Sequence, residues 1–415
     1  MKHVLGFQCL SCKTDFEISE VLYTCPACGG NVDVVYDYRI LRNEFQREHL
    51  AENRNYSMWR YLPMLPLHPE TRKPTLHVGW TPIYNLPHLA RQFSVHALAI
   101  KDEGRNPTAS LKDRPSALVA AKALEYRASV ATTASSGNAG AAFAAMCNSV
   151  DLKSVIFVPQ AAPRAKVAQL LLYGATVIRV ASDYDHAFDL CTEASRQLGW
   201  YNRSTGINAY TAEGKKTAAY EICEQLGWNV PDWVAVSMGD GNIIAGLWKG
   251  FKDFYAMKFI GKLPRLLGVQ AEGASPIVDA VELGPQGAGL DGIRPVEAHT
   301  IADSINVGKP RDGLRAVQAI QESKGRAIKV SDEKILLALA RLPRETGVFA
   351  EPAGACAYAG FLEATERGFF SSTDSIVIVN TGNGLKDIDS AVRTVEIPNA
   401  IPPDFQSLKD HLKLK

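Results

Sequence analysis

The sequence predicts an α/β protein of parallel sheets covered by helices on both faces, led by a small metal-binding ribbon. Three observations predict it. Short β-branched runs alternate with longer amphipathic runs over most of the chain. Glycine-rich turns carry several of those runs directly into helical patterns. Four of the eight cysteines stand in two Cys-x2-Cys pairs close to the amino terminus.

Those pairs come first in the chain. Cys9 and Cys12, then Cys25 and Cys28, are separated by twelve intervening residues, and Cys28 runs into two glycines that suit a tight knuckle around an ion. Four thiolates at this spacing match tetrahedral Zn2+. They also close the coordination shell, so the ion is expected to be structural rather than catalytic. A degenerate, metal-free ribbon is the other reading. Residues 1–40 are thus expected to form a zinc ribbon with scarcely any core of its own once the metal is removed. Cys147, Cys191, Cys223 and Cys356 fall in apolar helical patterns and read as core thiols. Residues 41–78 read as an irregular arm. Pro63, Pro66 and Pro69 argue against helix, and the aromatic Tyr56, Trp59 and Tyr61 suit packing over a larger body.

The body, 79–415, opens at Gly79-Trp-Thr-Pro-Ile-Tyr84. Val155–Val158 reads as a strand, Pro163–Tyr173 as a helix stopped by Gly174, and Thr176–Val180 as a strand. Tyr184–Leu198 carries apolar residues at helical spacing, and Lys216–Leu226 is a further helix. Val234–Ser237, Leu266–Gln270 and Ser375–Val379 are expected strands, and Gly284–Gly289 an expected surface loop. A smaller subdomain is expected over about 115–200. In open parallel sheets, ligands bind outside the carboxyl ends of the strands.

The chemistry-bearing stretch is Asn106-Pro-Thr-Ala-Ser-Leu-Lys112-Asp-Arg114, which leads into the apolar helix Ala117–Leu124. A lone lysine at a helix start is ordinarily a solvated residue. One at the start of a buried helix is costly unless paired or neutral, and neutral lysines form imines, with pyridoxal phosphate above all. Three later loops supply the rest of such a site. Ser135-Ser-Gly-Asn138 lets backbone approach a flat ring and offers an amide to a ring hydroxyl. Gly239-Asp-Gly241-Asn-Ile243 joins a strand to a helix, where free N–H groups and the positive helix end make a phosphate cradle. Thr381, at the end of the last strand, offers a hydroxyl to a pyridine nitrogen.

In this order, with Lys101-Asp-Glu-Gly104, Gly347-Val-Phe-Ala-Glu-Pro-Ala353 and Thr381-Gly-Asn-Gly-Leu-Lys-Asp387, these motifs resemble those of the threonine synthases. The resemblance covers nearly the whole chain, and many members are similar at the ribbon too. It implies the fold-type-II pyridoxal phosphate architecture, two three-layer α/β/α subdomains around a cofactor cleft. It also implies roles: Lys112 would hold the cofactor and move protons, Asn138 would meet the ring hydroxyl, and Gly239, Asp240, Gly241, Asn242 and Ile243 would cradle the phosphate. Thr381 would contact the ring nitrogen, while Ser135, Ser136, Gly137 and Asn208 would meet substrate. The implied reaction is a lyase step that turns O-phospho-L-homoserine and water into L-threonine and phosphate, and a homodimer is the implied assembly.

The chain departs from the family pattern where the substrate phosphate is expected. An arginine often stands shortly before Glu-Gly-x-Lys-Thr; here that place is taken by Thr211, and a hydroxyl does not replace a bidentate guanidinium without loss of affinity. The family's Ser-Thr-Gly-Asn-Thr becomes Ser135-Ser-Gly-Asn-Ala139, and its Thr-Gly-Ser-Phe-Lys becomes Thr108-Ala-Ser-Leu-Lys112. Arg164, Lys166, Arg203, Lys215 and Lys216 are candidate substitute cations. Two other functions share these residues: a serine or threonine dehydratase or β-replacement enzyme, and a non-catalytic zinc-ribbon binding protein. Composition favours a metabolic enzyme. Lys+Arg 45 against Asp+Glu 44 gives a net charge of +1, which argues against nucleic acid or an acidic membrane as partner. No apolar run approaches membrane-spanning length and no signal-peptide core is visible, so the cytoplasm is the expected compartment.

Overall fold

The computed structural model describes residues 1–284 and 292–413. The surface loop expected at Gly284–Gly289 therefore lies, beyond Gly284, outside the described residues. Strands β1 (Val4–Cys9), β2 (Asp15–Phe16) and β3 (Val32–Tyr36) form an antiparallel sheet in the order β2-β1-β3. Its apolar side chains do not make a core alone. Phe7, Val32, Val34 and Tyr36 are buried in one continuous cluster with Leu118, Tyr220 and Phe251 of the body.

Residues 41–78 differ from the irregular arm expected. Helices run over Tyr38–Glu44 and Arg47–Glu52, and a 3-10 segment over Met58–Met64. The prolines begin only at Pro63, downstream of both α-helices, and the Asp37 side chain caps the first by accepting from the N–H groups of Arg39 and Ile40. The arm is locked to the body by the buried Arg60, 2.5 Å from Glu224, whose carboxylate also accepts from Tyr61 at 2.6 Å.

The body holds β4 (Ile83–Asn85), β5 (Ala97–Asp102), β6 (Val130–Ala134), β7 (Lys153–Pro159), β8 (Thr176–Val180), β9 (Tyr201–Asn202), β10 (Trp233–Ser237), β11 (Arg265–Ala271), β12 (Arg326–Val330) and β13 (Ser375–Asn380). The larger sheet runs β12-β11-β10-β13-β5-β4 and is parallel except for β4, which lies antiparallel on the edge. The smaller, β8-β7-β6-β9, is parallel throughout. Continuous β-branched runs such as Ile376–Val379 are buried on both faces, as parallel strands between helical layers must be. The helix expected at Tyr184–Leu198 forms over those residues, capped by Asp183 accepting from the His186 N–H at 3.0 Å. No described helix is long and apolar enough to cross a membrane.

The fold places the loops after β6, β10 and β13 together. Register does the fine work: Asn380 pairs with Asp102 across β13 and β5, and its amide donates to the Asp102 carboxylate at 2.8 Å. The chain beyond each strand end is thereby held side by side, so that Thr381 O accepts from Leu111 N at 3.0 Å. Thr381 is thus anchored one residue away from Lys112.

Candidate active site

Lys112 stands just before the helix Asp113–Glu125. Its position is set from both sides. Asp113 accepts from Thr108 N (2.7 Å) and Thr108 Oγ1 (2.5 Å), closing the turn. Arg114 is clamped between Glu103 and Glu221 at 2.6 Å each, with Lys101 on Glu221 at 2.7 Å. This network is buried and ties the Lys101–Gly104 and Lys112–Arg114 motifs to the helix Tyr210–Gln225. The Lys112 amine is pushed down to about 8, first by burial and then by the Arg203 guanidinium. A lysine so depressed carries a substantial neutral fraction near pH 8, as imine chemistry requires.

Lys112 lines a cavity with Asn138, Thr381 and the Gly239–Ile243 loop. Of the sequence-predicted cofactor residues, each therefore meets the others at one site. Asn138 opens the helix Asn138–Asn148; its Nδ2 donates to Glu351 at 2.8 Å and to Ser304 at 3.3 Å. Asp240 turns its carboxylate away to accept from Arg311 N at 3.1 Å. Asn242 begins the helix Asn242–Ala256, and its Oδ1 accepts from the buried Lys215 amine.

Ser136 and Gly137 line an adjoining cavity that shares Asn138, Ser304 and Glu351 with the first and holds Lys166, which pairs with Asp303, while Ser135 Oγ caps its own loop by accepting from Gly137 N. Asn208 is not brought to this cavity. It is buried, with Nδ2 on Asn202 O at 2.9 Å and Oδ1 on Tyr210 N at 3.0 Å, and serves the turn that starts the next helix. Thr211 is likewise spent on Asn208 O at 2.8 Å.

Glu351, Ser304, Ser237 and Thr205 also line the cavity and were given no role from sequence. Glu351 precedes Pro352 at a helix start, a visible signal, and burial raises its carboxyl above the usual range. Ser304 carries no comparable signal, since only the return of the chain between β11 and β12 brings it there.

The site fits pyridoxal phosphate. Among the described residues, no amide N–H from Gly239 to Ile243 has a protein acceptor, and they cluster at a helix N-terminus. The cradle leaves little room for a side chain at two points. Gly241 has φ +88°, and a Cβ there would stand 2.7 Å from Ala316 Cβ; one on Gly239 would stand 3.0 Å from Ile305 Cα. The buried Ser237 hydroxyl faces the same cavity without a protein partner.

In the ribbon, the four Sγ atoms of Cys9, Cys12, Cys25 and Cys28 lie within 4.8 Å of one another, with Cys9–Cys28 at 3.5 Å and Cys12–Cys25 at 3.7 Å. Tetrahedral zinc–thiolate bonds imply sulfur separations of about 3.8 Å, so the donor set fits that ion. Gly29, φ +72°, turns the second knuckle so that its N–H reaches Cys25 O at 2.8 Å. The knuckle then meets the cofactor cradle. Asn31 Nδ2 donates to Asp312 Oδ1 at 2.9 Å, Asp312 Oδ2 accepts from Asn242, and Asp312 N donates to Asp240 O at 3.1 Å.

Comparison with known proteins agrees with this geometry. The family described as pyridoxal-phosphate dependent enzyme matches residues 74–382. Threonine synthase from Methanocaldococcus jannaschii is 37% identical over 407 residues, covering 98% of this chain and 99% of its own. Threonine synthase from Halalkalibacterium halodurans is 37% identical over 366 residues, covering 86% and 98%. The processed form of threonine deaminase isoform 2 from Solanum lycopersicum superposes with a TM-score of 0.63 at 20% identity, covering 76% of this chain and 88% of that one, a likeness of fold.

Proposed function

Because the chain belongs to the pyridoxal-phosphate dependent enzymes, and among them to the threonine synthases, we propose that it converts O-phospho-L-homoserine and water to L-threonine and phosphate. The observation that carries this reading is a half-buried, depressed lysine facing a glycine cradle and a threonine hydroxyl across one cavity. Lys112 Nζ would hold the cofactor, with its phosphate on the N–H groups of Gly239–Ile243. Bound there, the cofactor supplies an electron sink for charge developing beside the substrate amine.

The remaining chemistry belongs to this chain's side chains. Lys112 Nζ would be the base placed to take the Cα proton and then a Cβ proton, and its depressed pKa suits that exchange near neutral pH. Thr381 offers a hydroxyl where a carboxylate would hold a ring nitrogen protonated, a moderation that favours elimination and replacement over aminotransfer. Glu351 and Ser304 fix the Asn138 amide plane at the cavity wall. Ser135, Ser136 and Gly137 would meet the substrate, a role supported for Ser136 and Gly137 by the cavity they line together with Asn138.

Cys9, Cys12, Cys25 and Cys28 would hold a structural zinc, supported by their sulfur separations. In the same reading the chain is divided as ribbon 1–40, arm 41–78 and catalytic body 79–415, with the smaller sheet as the inserted subdomain of about 115–200. A homodimer completes it, supported by the exposed Leu385, Ile397 and Phe405; sedimentation velocity tests that point.

The test of function is release of phosphate and threonine from O-phospho-L-homoserine by the purified protein, beside Lys112→Ala. Both products from the native chain and neither from the variant are expected. Cofactor absorbance without either product would overturn the reading and turn the search to serine and threonine dehydration, followed by 2-oxoacid formation.

A further inference from the structure

Four arginines are fully or nearly buried among the described residues: Arg60, Arg114, Arg203 and Arg315. Three are paired with carboxylates: Arg60 with Glu224, Arg114 with Glu103 and Glu221, and Arg315 with Asp33 and Asp312. Arg203 is not. It is 1% exposed, no carboxylate lies within 4 Å of it among the described residues, and its Nε and Nη2 have no hydrogen-bond partner. Only Nη1 is engaged, on Thr205 Oγ1 at 3.3 Å, and Thr205 lines the cavity that holds Lys112. A guanidinium taken out of water without a counter-charge is expensive, and a site retains one when an anion arrives to complete it.

The charges facing it define that anion's place. Arg203 sits at the end of β9, fixed by its own N–H on Thr132 O at 2.8 Å, with Lys112, Lys215, Asp240, Tyr184 and Cys147 as its titratable neighbours. The other candidate cations are committed elsewhere. Lys216 lies between Glu213 and Asp253 at 2.7 and 2.8 Å, away from the cavity, and Lys166 is paired with Asp303 in the adjoining one. Arg164 is exposed, and Lys215 is bound to Asn242 in the cradle for the cofactor's phosphate. Thr211, standing where the family pattern has its arginine, is bonded to its own loop.

We propose that Arg203 anchors the substrate's own anionic group, a phosphate ester on an amino-acid side chain, in place of the arginine missing at position 211. This rests on the function proposed above and assigns its specificity to the end of β9 rather than to the start of the next helix. The planar fork offers two parallel N–H donors, and a phosphate oxygen pair is its natural acceptor.

The test uses the cofactor-loaded protein and a non-reacting phosphonate of matching length, 2-amino-5-phosphonopentanoate, against its uncharged counterpart norvaline. Binding is read from the shift in the bound cofactor's absorbance. The native protein is expected to prefer the phosphonate by about 100-fold, Arg203→Gln to lose that preference to within about 3-fold, and Arg203→Lys to fall between. The preference is read as the ratio of phosphonate to norvaline affinity within each protein, so that any change in the Lys112 amine on removing Arg203 cancels. The unliganded Arg203→Gln protein should melt no lower than the native one, since no carboxylate is orphaned. A preference that survives in Arg203→Gln, or is absent from the native protein, overturns the proposal. So does a loss of cofactor affinity with the preference intact, which would put the guanidinium on the cofactor's phosphate. If the native protein makes no threonine yet its phosphonate preference depends on Arg203, the anchor stands and the functional reading falls to another phosphorylated amino acid.

Discussion

Glu221→Gln isolates the buried network that holds Lys112 in place. The Glu221 carboxylate accepts five hydrogen bonds: Trp80 N (2.7 Å) and Arg114 Nη1 (2.6 Å) on Oε1, Thr81 N (3.2 Å), Lys101 Nζ (2.7 Å) and Arg114 Nη2 (2.7 Å) on Oε2. A glutamine keeps one acceptor oxygen. Oriented to keep the three bonds on Oε2, it turns an NH2 group toward Trp80 N and Arg114 Nη1, losing both. Both end on the ionised carboxylate, so two charge-assisted bonds at about 1.5–3 kcal/mol each sum to roughly 3–6 kcal/mol. Glu103 then faces two cations alone, and breaking a buried ion pair by removing one partner costs about 3–5 kcal/mol, so the two estimates agree. Against a total stability of about 5–15 kcal/mol this is a large fraction. Urea unfolding of the cofactor-loaded protein, followed by circular dichroism, measures it.

Acid supplies the second arm. Burial alone would raise Glu221, but Arg114 and Lys101 outweigh it and hold the carboxyl at about 2. Its folded value is below its unfolded one of about 4.3, so its contribution is fully present above pH 4.3 and is lost as pH falls toward 2. The gap between native protein and variant is therefore expected to narrow as pH is lowered through that window. A loss under about 1 kcal/mol at pH 7 would refute the reasoning, because it would mean that water already screens the network.

Three further outcomes are expected. Ala109 holds φ +65° in the turn before Lys112, a conformation that strains any side chain, so Ala109→Gly should stabilise the protein by about 0.5–1 kcal/mol in the same assay, net of glycine's entropy. Gly241→Ala puts a methyl 2.7 Å from Ala316 Cβ at φ +88°, and equilibrium dialysis should show cofactor affinity down by at least about tenfold; an unchanged affinity would remove the loop from the cradle. Stripping zinc with a chelator should loosen Asn31 from Asp312 and with it Asn242, so cofactor affinity should fall several-fold and recover on adding zinc back; Asn31→Ala should reproduce the loss with the metal in place, and no change in either would uncouple ribbon from site.

Local chemistry made much of this protein legible from its residues in order. A short β-branched run and a period-3.6 apolar pattern placed β8 and the helix Tyr184–Leu198 at their observed ends, because both signals are written within a few neighbouring residues. The four cysteines, Lys112, Asn138, the Gly239–Ile243 loop and Thr381 were visible for the same reason: each is a short motif whose chemistry lies in its own spacing. Contacts between distant segments were not. The helices of the arm were hidden because Pro63, Pro66 and Pro69 argue against helix only downstream of them, while the Asp37 cap that starts the first is a single ordinary residue in the sequence. Asn208 turned inward to its own turn, Glu351 and Ser304 reached Asn138 from residues far along the chain, and Asn31 joined the ribbon to the cradle through Asp312. Arg203 shows the division most sharply. Its charge is a property of the sequence, but whether a guanidinium is solvated, paired or buried without a counter-charge depends on which carboxylates the tertiary fold brings close, and among the described residues only the packed structure leaves this one with none within 4 Å.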